Sequence, residues 1–321
     1  MAQYPIILLL LFIALKGYLK LATKYNIIDK PNERSSHIQP TIRGGGIVFF
    51  LAILLFFVLN GFEYPYFFVG ILLVSVISFV DDLYTIGSPI RLAIQLLAVL
   101  LVLFEISDFQ LSILVMALSI FFSIGFLNIY NFMDGINGIT GLYSITVILA
   151  LFYCNYFVFE FIQSDLLIYS MLALLVFGFF NFRKKAICFA GDIGSISLGL
   201  LIVFCIGNLI YSSNNIFYVF LILLYVLDGG ITIVERLVKR ENIFAPHRKH
   251  LYQALVDNTT LSHLQVSYIY VLWQAIISLL FLYLTKANFT WYFYLVLLFL
   301  NIAIYISCKT YVIKKQKMER L

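Results

Sequence analysis

A chain of 321 residues that is 63% hydrophobic and only 12% charged, with a mean hydropathy of +1.00, cannot be a soluble domain, because such domains run about 45–50% apolar and about 25% charged. Its net charge of +5 is explained by basic residues flanking membrane segments and calls for no nucleic-acid partner. Cys154, Cys188, Cys205 and Cys308 stand far apart in or beside apolar runs, which excludes a disulfide framework and a zinc-type spacing.

A helix needs about 20 mostly apolar residues to cross about 30 Å of hydrocarbon. Taken in chain order, such segments fall at 4–21, 45–60, 66–80, 91–104, 109–127, 138–158, 166–180, 194–211, 216–234, 265–285 and 290–308, with 91–104 short for a span. The first begins after Met1-Ala2-Gln3-Tyr4-Pro5 with no basic leader and ends in lysines, not at a small-residue cleavage site, so it reads as a retained helix. The expected fold is all-α: a single polytopic membrane domain over 1–321, with about 11 transmembrane helices and its chemistry on loops.

Sidedness follows from charge. Of the 21 Lys+Arg, all but Lys286 fall in alternate connections or the tail. The positive-inside rule then puts the N-terminus outside and the C-terminus in the cytoplasm, and the expected location is the inner (plasma) membrane. Glu63, Glu105, Asp108, Glu160 and Asp165 lie in the outer loops, whereas Asp81, Asp82, Asp134, Asp192 and Asp228 sit at the cytoplasmic ends of spans. Ionisable groups at that depth are costly and mark functional sites.

The first polar segment, Asp29 to His37 leading into Thr41-Ile42-Arg43-Gly44-Gly45-Gly46, opens the second span. Its glycines permit close approach of a helix or ligand, but no Gly-Lys-Ser/Thr follows, so it is not a Walker loop. Further on, Ser78-Phe79-Val80-Asp81-Asp82-Leu83-Tyr84 holds two adjacent carboxylates, which repel unless a cation or shared proton compensates. Asn128-Ile129-Tyr130-Asn131-Phe132-Met133-Asp134-Gly135-Ile136-Asn137-Gly138 is far more polar than an interhelical turn requires, and its amide and carboxylate oxygens suit magnesium. Gly191-Asp192-Ile193-Gly194-Ser195 follows the basic run Arg183-Lys184-Lys185. There Asp192 either holds a metal or caps the eighth span, or both. Last, Pro246-His247-Arg248-Lys249-His250-Leu251-Tyr252-Gln253 forms an anion-binding patch, or simply a solvated basic loop.

In this order the motifs resemble the polyprenyl-phosphate N-acetylhexosamine-1-phosphate transferase superfamily, of glycosyltransferase family 4 type, over nearly the whole chain. The resemblance implies an enzyme that transfers a sugar-1-phosphate from a UDP-N-acetylhexosamine to undecaprenyl phosphate, releasing UMP. It implies Mg2+, with Mn2+ as a substitute, and leaves room for a homodimer. Carried over residue by residue, it makes Asp81, Asp82, Asp192 and His250 catalytic, and Asn131 with Asp192 the metal ligands. Arg43, Asp134, Gly135, Asn137, His247 and Arg248 would bind substrate. Two departures stand out. The loop at 246–253 lacks the three successive histidines of the peptidoglycan enzyme and resembles the O-antigen branch, whose sugars are deoxy-amino N-acetylhexosamines. Asn137 replaces a common aspartate, although its amide oxygen still accepts an N–H. An ion-coupled transporter is the alternative class; the clustering of acidic groups at one membrane face argues against it.

Overall fold

The computed structural model describes residues 3–29, 40–242, 247–287 and 289–319, without the side chains of 316–319. The polar stretch from Lys30 to His37, and Phe244 to Pro246 of the late loop, lie outside the described residues. After helix α1 (Gln3–Lys24) comes a two-stranded antiparallel ribbon, β1 (Ile28–Asp29) and β2 (Thr41–Ile42), with Ile28 opposite Ile42. Then follow α2 (Ile47–Leu59), α3 (Pro65–Leu83), α4 (Ser88–Ser107), α5 (Ile113–Phe132), α6 (Ile139–Tyr153), which ends in a π-turn, α7 (Ser164–Asn181) and α8 (Gly191–Ser213). A 3₁₀ segment (Ile216–Ile222) runs into α9 (Leu223–Val238), and α10 (Leu251–Asn258), α11 (His263–Lys286) and α12 (Trp291–Glu319) complete the chain.

Among the described residues, 10 of these segments are long and apolar enough to cross a membrane, and the chain is an all-α, multi-pass membrane protein. The eleventh expected span is shorter: α2 has 13 residues, a rise of about 20 Å. By contrast, α4 is longer than its apolar run, with 20 residues, because Pro89 sits in its first turn and pre-sets the helical backbone. Unforeseen was α10, at whose start the Gln253 Oε1 accepts the His250 N–H at 3.2 Å.

Helix α8 is the most enclosed and packs against α2, α3, α4, α5 and α6. Lipid provides no hydrophobic drive between helices, so close backbone approach and polar contacts hold such bundles together. Both occur here. Gly46, just before α2, lies so near α8 that an added Cβ would stand 2.2 Å from the Gly194 Cα, and Ser75 of α3 hydrogen-bonds Ser197 of α8 at 2.8 Å. The 3₁₀-to-α junction before α9 is healed by Gln274 of α11. Its Oε1 accepts the Leu224 N–H at 2.9 Å, and its Nε2 donates to the Phe220 carbonyl at 2.9 Å, as backbone away from water requires.

Polar contacts mark the two ends of the bundle. At one, Tyr4 donates to Asp165 at 2.8 Å, and Glu105 accepts the Tyr66 and Phe67 N–H groups that open α3 at 2.6 and 3.1 Å. The opposite end gathers the end of α3, the starts of α2, α4 and α8, and the turn between α5 and α6.

Candidate active site

The site is assembled by a strand-like pairing. The Phe189 N–H donates to the Ile42 carbonyl at 2.8 Å, and the Gly45 and Gly46 N–H groups donate to Phe189 and Ala190 at 2.8 and 3.0 Å. That seam sets Arg43 beside the start of α8. Gly191 adopts φ +72°, and an added Cβ there would stand 2.5 Å from the Asp82 Oδ2, so glycine is what lets α3 reach the helix end.

Asp82 caps α8 from another helix. Its Oδ1 accepts the Asp192 N–H at 2.9 Å and its Oδ2 the Ile193 N–H at 3.2 Å, while Arg43 Nε lies 2.7 Å from Oδ1. The Asp192 carboxylate is therefore not the cap that sequence left open; it turns toward two arginines. Arg43 lies 3.3 Å from its Oδ1 and Arg91 3.2 Å from its Oδ2. Arg91 also pairs with Asp81 at 2.6 Å, and the other Asp81 oxygen accepts the Ile86 N–H at 2.7 Å. Three carboxylates and two guanidiniums thus alternate across the ends of α3, α4 and α8 and the start of α2. Arg91 contributed to sidedness but not to the expected site. Its signal was a lone arginine opening a span, ten residues after Asp81.

A pocket beside this cluster is lined by Ser78, Arg91, Gln95, Asn128, Asn131 and Asp192, with Phe132. Its lining carries an amide pair, Asn128 donating to Gln95 at 3.0 Å. Asp134 lies beyond, held by the Thr140 hydroxyl at 2.6 Å. Burial pushes its carboxyl up to about 6, since the charged form loses hydration. Asn137 is buried, and its amide donates to the Arg183 and Lys184 carbonyls at 3.0 and 3.2 Å, tying the α5–α6 turn to the α7–α8 loop. Gly135 faces the Tyr252 hydroxyl, which occupies the place a Cβ would take and donates to the Phe132 carbonyl at 2.8 Å.

The histidine loop reaches the same region from the other side of Phe132. His247 lies 6.1 Å from the Phe132 ring and 5.0 Å from the His250 ring, centroid to centroid. Burial, with the nearby Arg236 and Lys249 charges, lowers the His247 imidazole to about 4, so it is neutral at pH 7. Arg248 grips Asp257 with two hydrogen bonds, 2.6 and 3.1 Å. His250 pairs with Asp228 at 3.0 Å. The five deep carboxylates read as one group therefore divide: Asp81, Asp82 and Asp192 form the arginine cluster, Asp134 stands at the turn, and Asp228 serves the histidine.

The bundle thus concentrates carboxylates, arginines and histidines at one end, around a small polar pocket. The pattern described as Glycosyl transferase family 4 matches residues 64–210. The chain is 22% identical over 273 residues (79% of this chain, 76% of the relative) to the "Probable undecaprenyl-phosphate N-acetylglucosaminyl 1-phosphate transferase" of Bacillus subtilis strain 168. It is 28% identical over 244 residues (72% and 73%) to the undecaprenyl-phosphate alpha-N-acetylglucosaminyl 1-phosphate transferase of Thermotoga maritima. To the decaprenyl-phosphate N-acetylglucosaminephosphotransferase of Mycobacterium tuberculosis strain H37Rv it is 26% identical over 307 residues (80% and 76%). These similarities support a place in the polyprenyl-phosphate hexosamine-1-phosphate transferase superfamily, with the enzyme class of polyprenyl-phosphate sugar-1-phosphate transferases.

Proposed function

We propose that this enzyme transfers an N-acetylhexosamine-1-phosphate from a UDP-sugar to undecaprenyl phosphate at the cytoplasmic face of the inner membrane. The products are undecaprenyl-diphosphate-sugar and UMP, and the step opens synthesis of O-antigen or another surface polysaccharide. The observation that carries the reading is the alternating array of Asp81, Arg91, Asp192, Arg43 and Asp82 at one end of the bundle.

An oxygen of the lipid phosphate attacks the sugar-bearing phosphorus, and the bond to the nucleoside-bearing phosphate breaks as UMP leaves. Such transfer depends mainly on alignment and charge neutralisation. Arg43 and Arg91, each about one-third exposed, can turn their free N–H groups to phosphate oxygens. Asp81 orients or deprotonates the lipid phosphate, and Asp82 keeps the start of α8 in place. Asp134 and Gly135 line the nucleoside side, with Asn137 bracing that turn. Arg248, His247 and His250 face the diphosphate from the late loop.

The Asp192 carboxylate and the Asn131 amide oxygen at the pocket fit magnesium, a hard cation bound by one or two carboxylates together with substrate phosphates and water. Asp192 and Asn131, which line the same pocket, would hold it, with manganese as a substitute. When bound, the cation supplies charge neutralisation at the diphosphate.

The loop at 246–253 favours a deoxy-amino N-acetylhexosamine as the donor sugar. N-acetylglucosamine, in the names of the relatives, is the second reading. Purified protein given undecaprenyl phosphate, magnesium and a panel of UDP-N-acetylhexosamines, with and without the 6-hydroxyl, should release UMP with at least one of them. Release with none would overturn the proposal, and the preferred donor decides between the sugars.

A further inference from the structure

Asp228 is fully buried within the α9 span and lies outside the segment that matches the family pattern. Its carboxylate accepts from the His250 Nδ1 at 3.0 Å, the Leu251 N–H at 3.2 Å, the Tyr305 hydroxyl at 2.9 Å and the Tyr270 hydroxyl. Of these partners only the imidazole can carry positive charge. Nearby cations have acidic partners of their own: Lys309 has Glu235, Lys249 and Arg236 have Glu241, and Arg248 has Asp257.

The other edge of the ring is the informative one. His250 is 2% exposed, and its Nε2 is buried without a hydrogen-bond partner among the described residues; so is the Nδ1 of neighbouring His247. Buried polar atoms are almost always satisfied, so an orphan at a site points to a group that arrives with the ligand.

We infer that Asp228 is a positioning residue for His250, fixing Nδ1–H toward itself so that Nε2 is the atom offered to an anionic phosphate oxygen. Which imidazole nitrogen is free is set by the hydrogen bond the other one makes. As a phosphate oxygen anion binds, Nε2 takes a second proton from solvent. Nε2–H then donates to the phosphate oxygen. Tyr270 and Tyr305 keep the carboxylate aimed, which explains why α11 and α12 converge on a site whose carboxylates lie on earlier helices. The inference rests on the proposed reaction, because that reaction supplies the phosphate.

Two measurements test it. Four histidines make selective ¹⁵N-histidine labelling tractable. His250 of the wild-type protein in detergent should show Nδ1 protonated, and Asp228→Asn should lose that signature. A wild-type ring protonated at Nε2 with Nδ1 bare overturns the inference, whatever the enzyme's activity. In the UMP-release assay, Asp228→Asn should lower kcat/KM by about 100-fold, and adding His250→Gln should cost less than a further ~3-fold, since groups acting as one unit are non-additive. Fully multiplicative losses would contradict it. Should Asp228→Asn fail to fold, Tyr305→Phe removes one hydrogen bond and leaves the pair. It should lower kcat/KM by roughly 3- to 10-fold, in line with one net hydrogen bond, and wild-type rates there would contradict the inference. A wild-type protein that releases no UMP with any donor sinks the reaction instead, and the labelling result still stands or falls alone.

Discussion

Asp82 of α3 hydrogen-bonds the backbone of Asp192, 2.9 Å from its N–H, so one member of the paired aspartates holds the helix that carries another site carboxylate. Removing it with Asp82→Ala should cost the cap, about 1–2 kcal/mol, and leave Arg43 without its 2.7 Å partner. Asp82→Asn, which keeps an acceptor, should recover part of the loss. Thermal unfolding in detergent measures both, and an unchanged Tm for the alanine variant would refute the capping role.

Asp81 behaves differently. It is bound by Arg91 and the Ile86 N–H and makes no contact with the α8 backbone. Asp81→Asn should fold normally and lose about 10²–10⁴ in rate if the carboxylate acts as a base. The defect should shrink as pH rises past the second ionisation of the lipid phosphate, about 6 by analogy with phosphorylated side chains. A pH–rate profile at saturating donor decides, and a deficit equal at every pH makes Asp81 a structural or charge-pairing residue.

Gly46 offers a steric test. An added Cβ would stand 2.2 Å from the Gly194 Cα and 2.8 Å from the Ala190 carbonyl oxygen, and backbone atoms cannot swing aside. Gly46→Ala should push the start of α2 off α8, carry Arg43 away from Asp192, and lower both Tm and turnover, the latter by at least about 10-fold given the sensitivity of rate to small misplacements. Gly17→Ala, where nothing lies within 4 Å, is the control. Equal behaviour of the two variants would count against the close approach.

For Asp134 the sign of the pH effect is fixed by burial. Its folded pKa is pushed up to about 6, so the folded state holds the proton more tightly than the unfolded chain. Stability is fully present below the unfolded pKa of about 4, is lost as pH rises toward 6, and stays lower above that. Asp134→Asn, which keeps an acceptor for Thr140, should stabilise the protein at pH 7–8 by up to about 3 kcal/mol and change little near pH 4. If the carboxylate serves the nucleoside, the same variant should weaken UDP-sugar binding. No gain in Tm at pH 8 would show that the charge is better compensated than its burial implies.

The architecture was largely legible because lipid imposes simple rules. Apolar run length located every long helix, with Lys286 alone on the wrong side of the charge asymmetry. The length of α4 was missed because Pro89, Arg91 and Gln95 dilute its apolar run although the backbone continues. Helix α10 was missed because eight residues in a polar loop carry too little periodicity. The motifs identified Asp81, Asp82 and Asp192 as residues that meet in space, but not which carboxylate faces which partner. That depends on the Ile42–Phe189 seam and the Gly46–Gly194 contact, which join residues about 150 apart. Arg91 escaped notice as a site residue, and Asp228 was read only as one of five deep carboxylates, for the same reason: each acquires its meaning from a partner on another element.

Arg43 and Arg91 both reach Asp192, which makes this carboxylate the hub of the account. UMP release by Asp192→Ala, measured across a magnesium titration with undecaprenyl phosphate and the preferred UDP-sugar, tests it most directly. The expected result is a correctly folded protein whose turnover is abolished and is not restored at any magnesium concentration. Near-normal turnover with a normal magnesium response would contradict it.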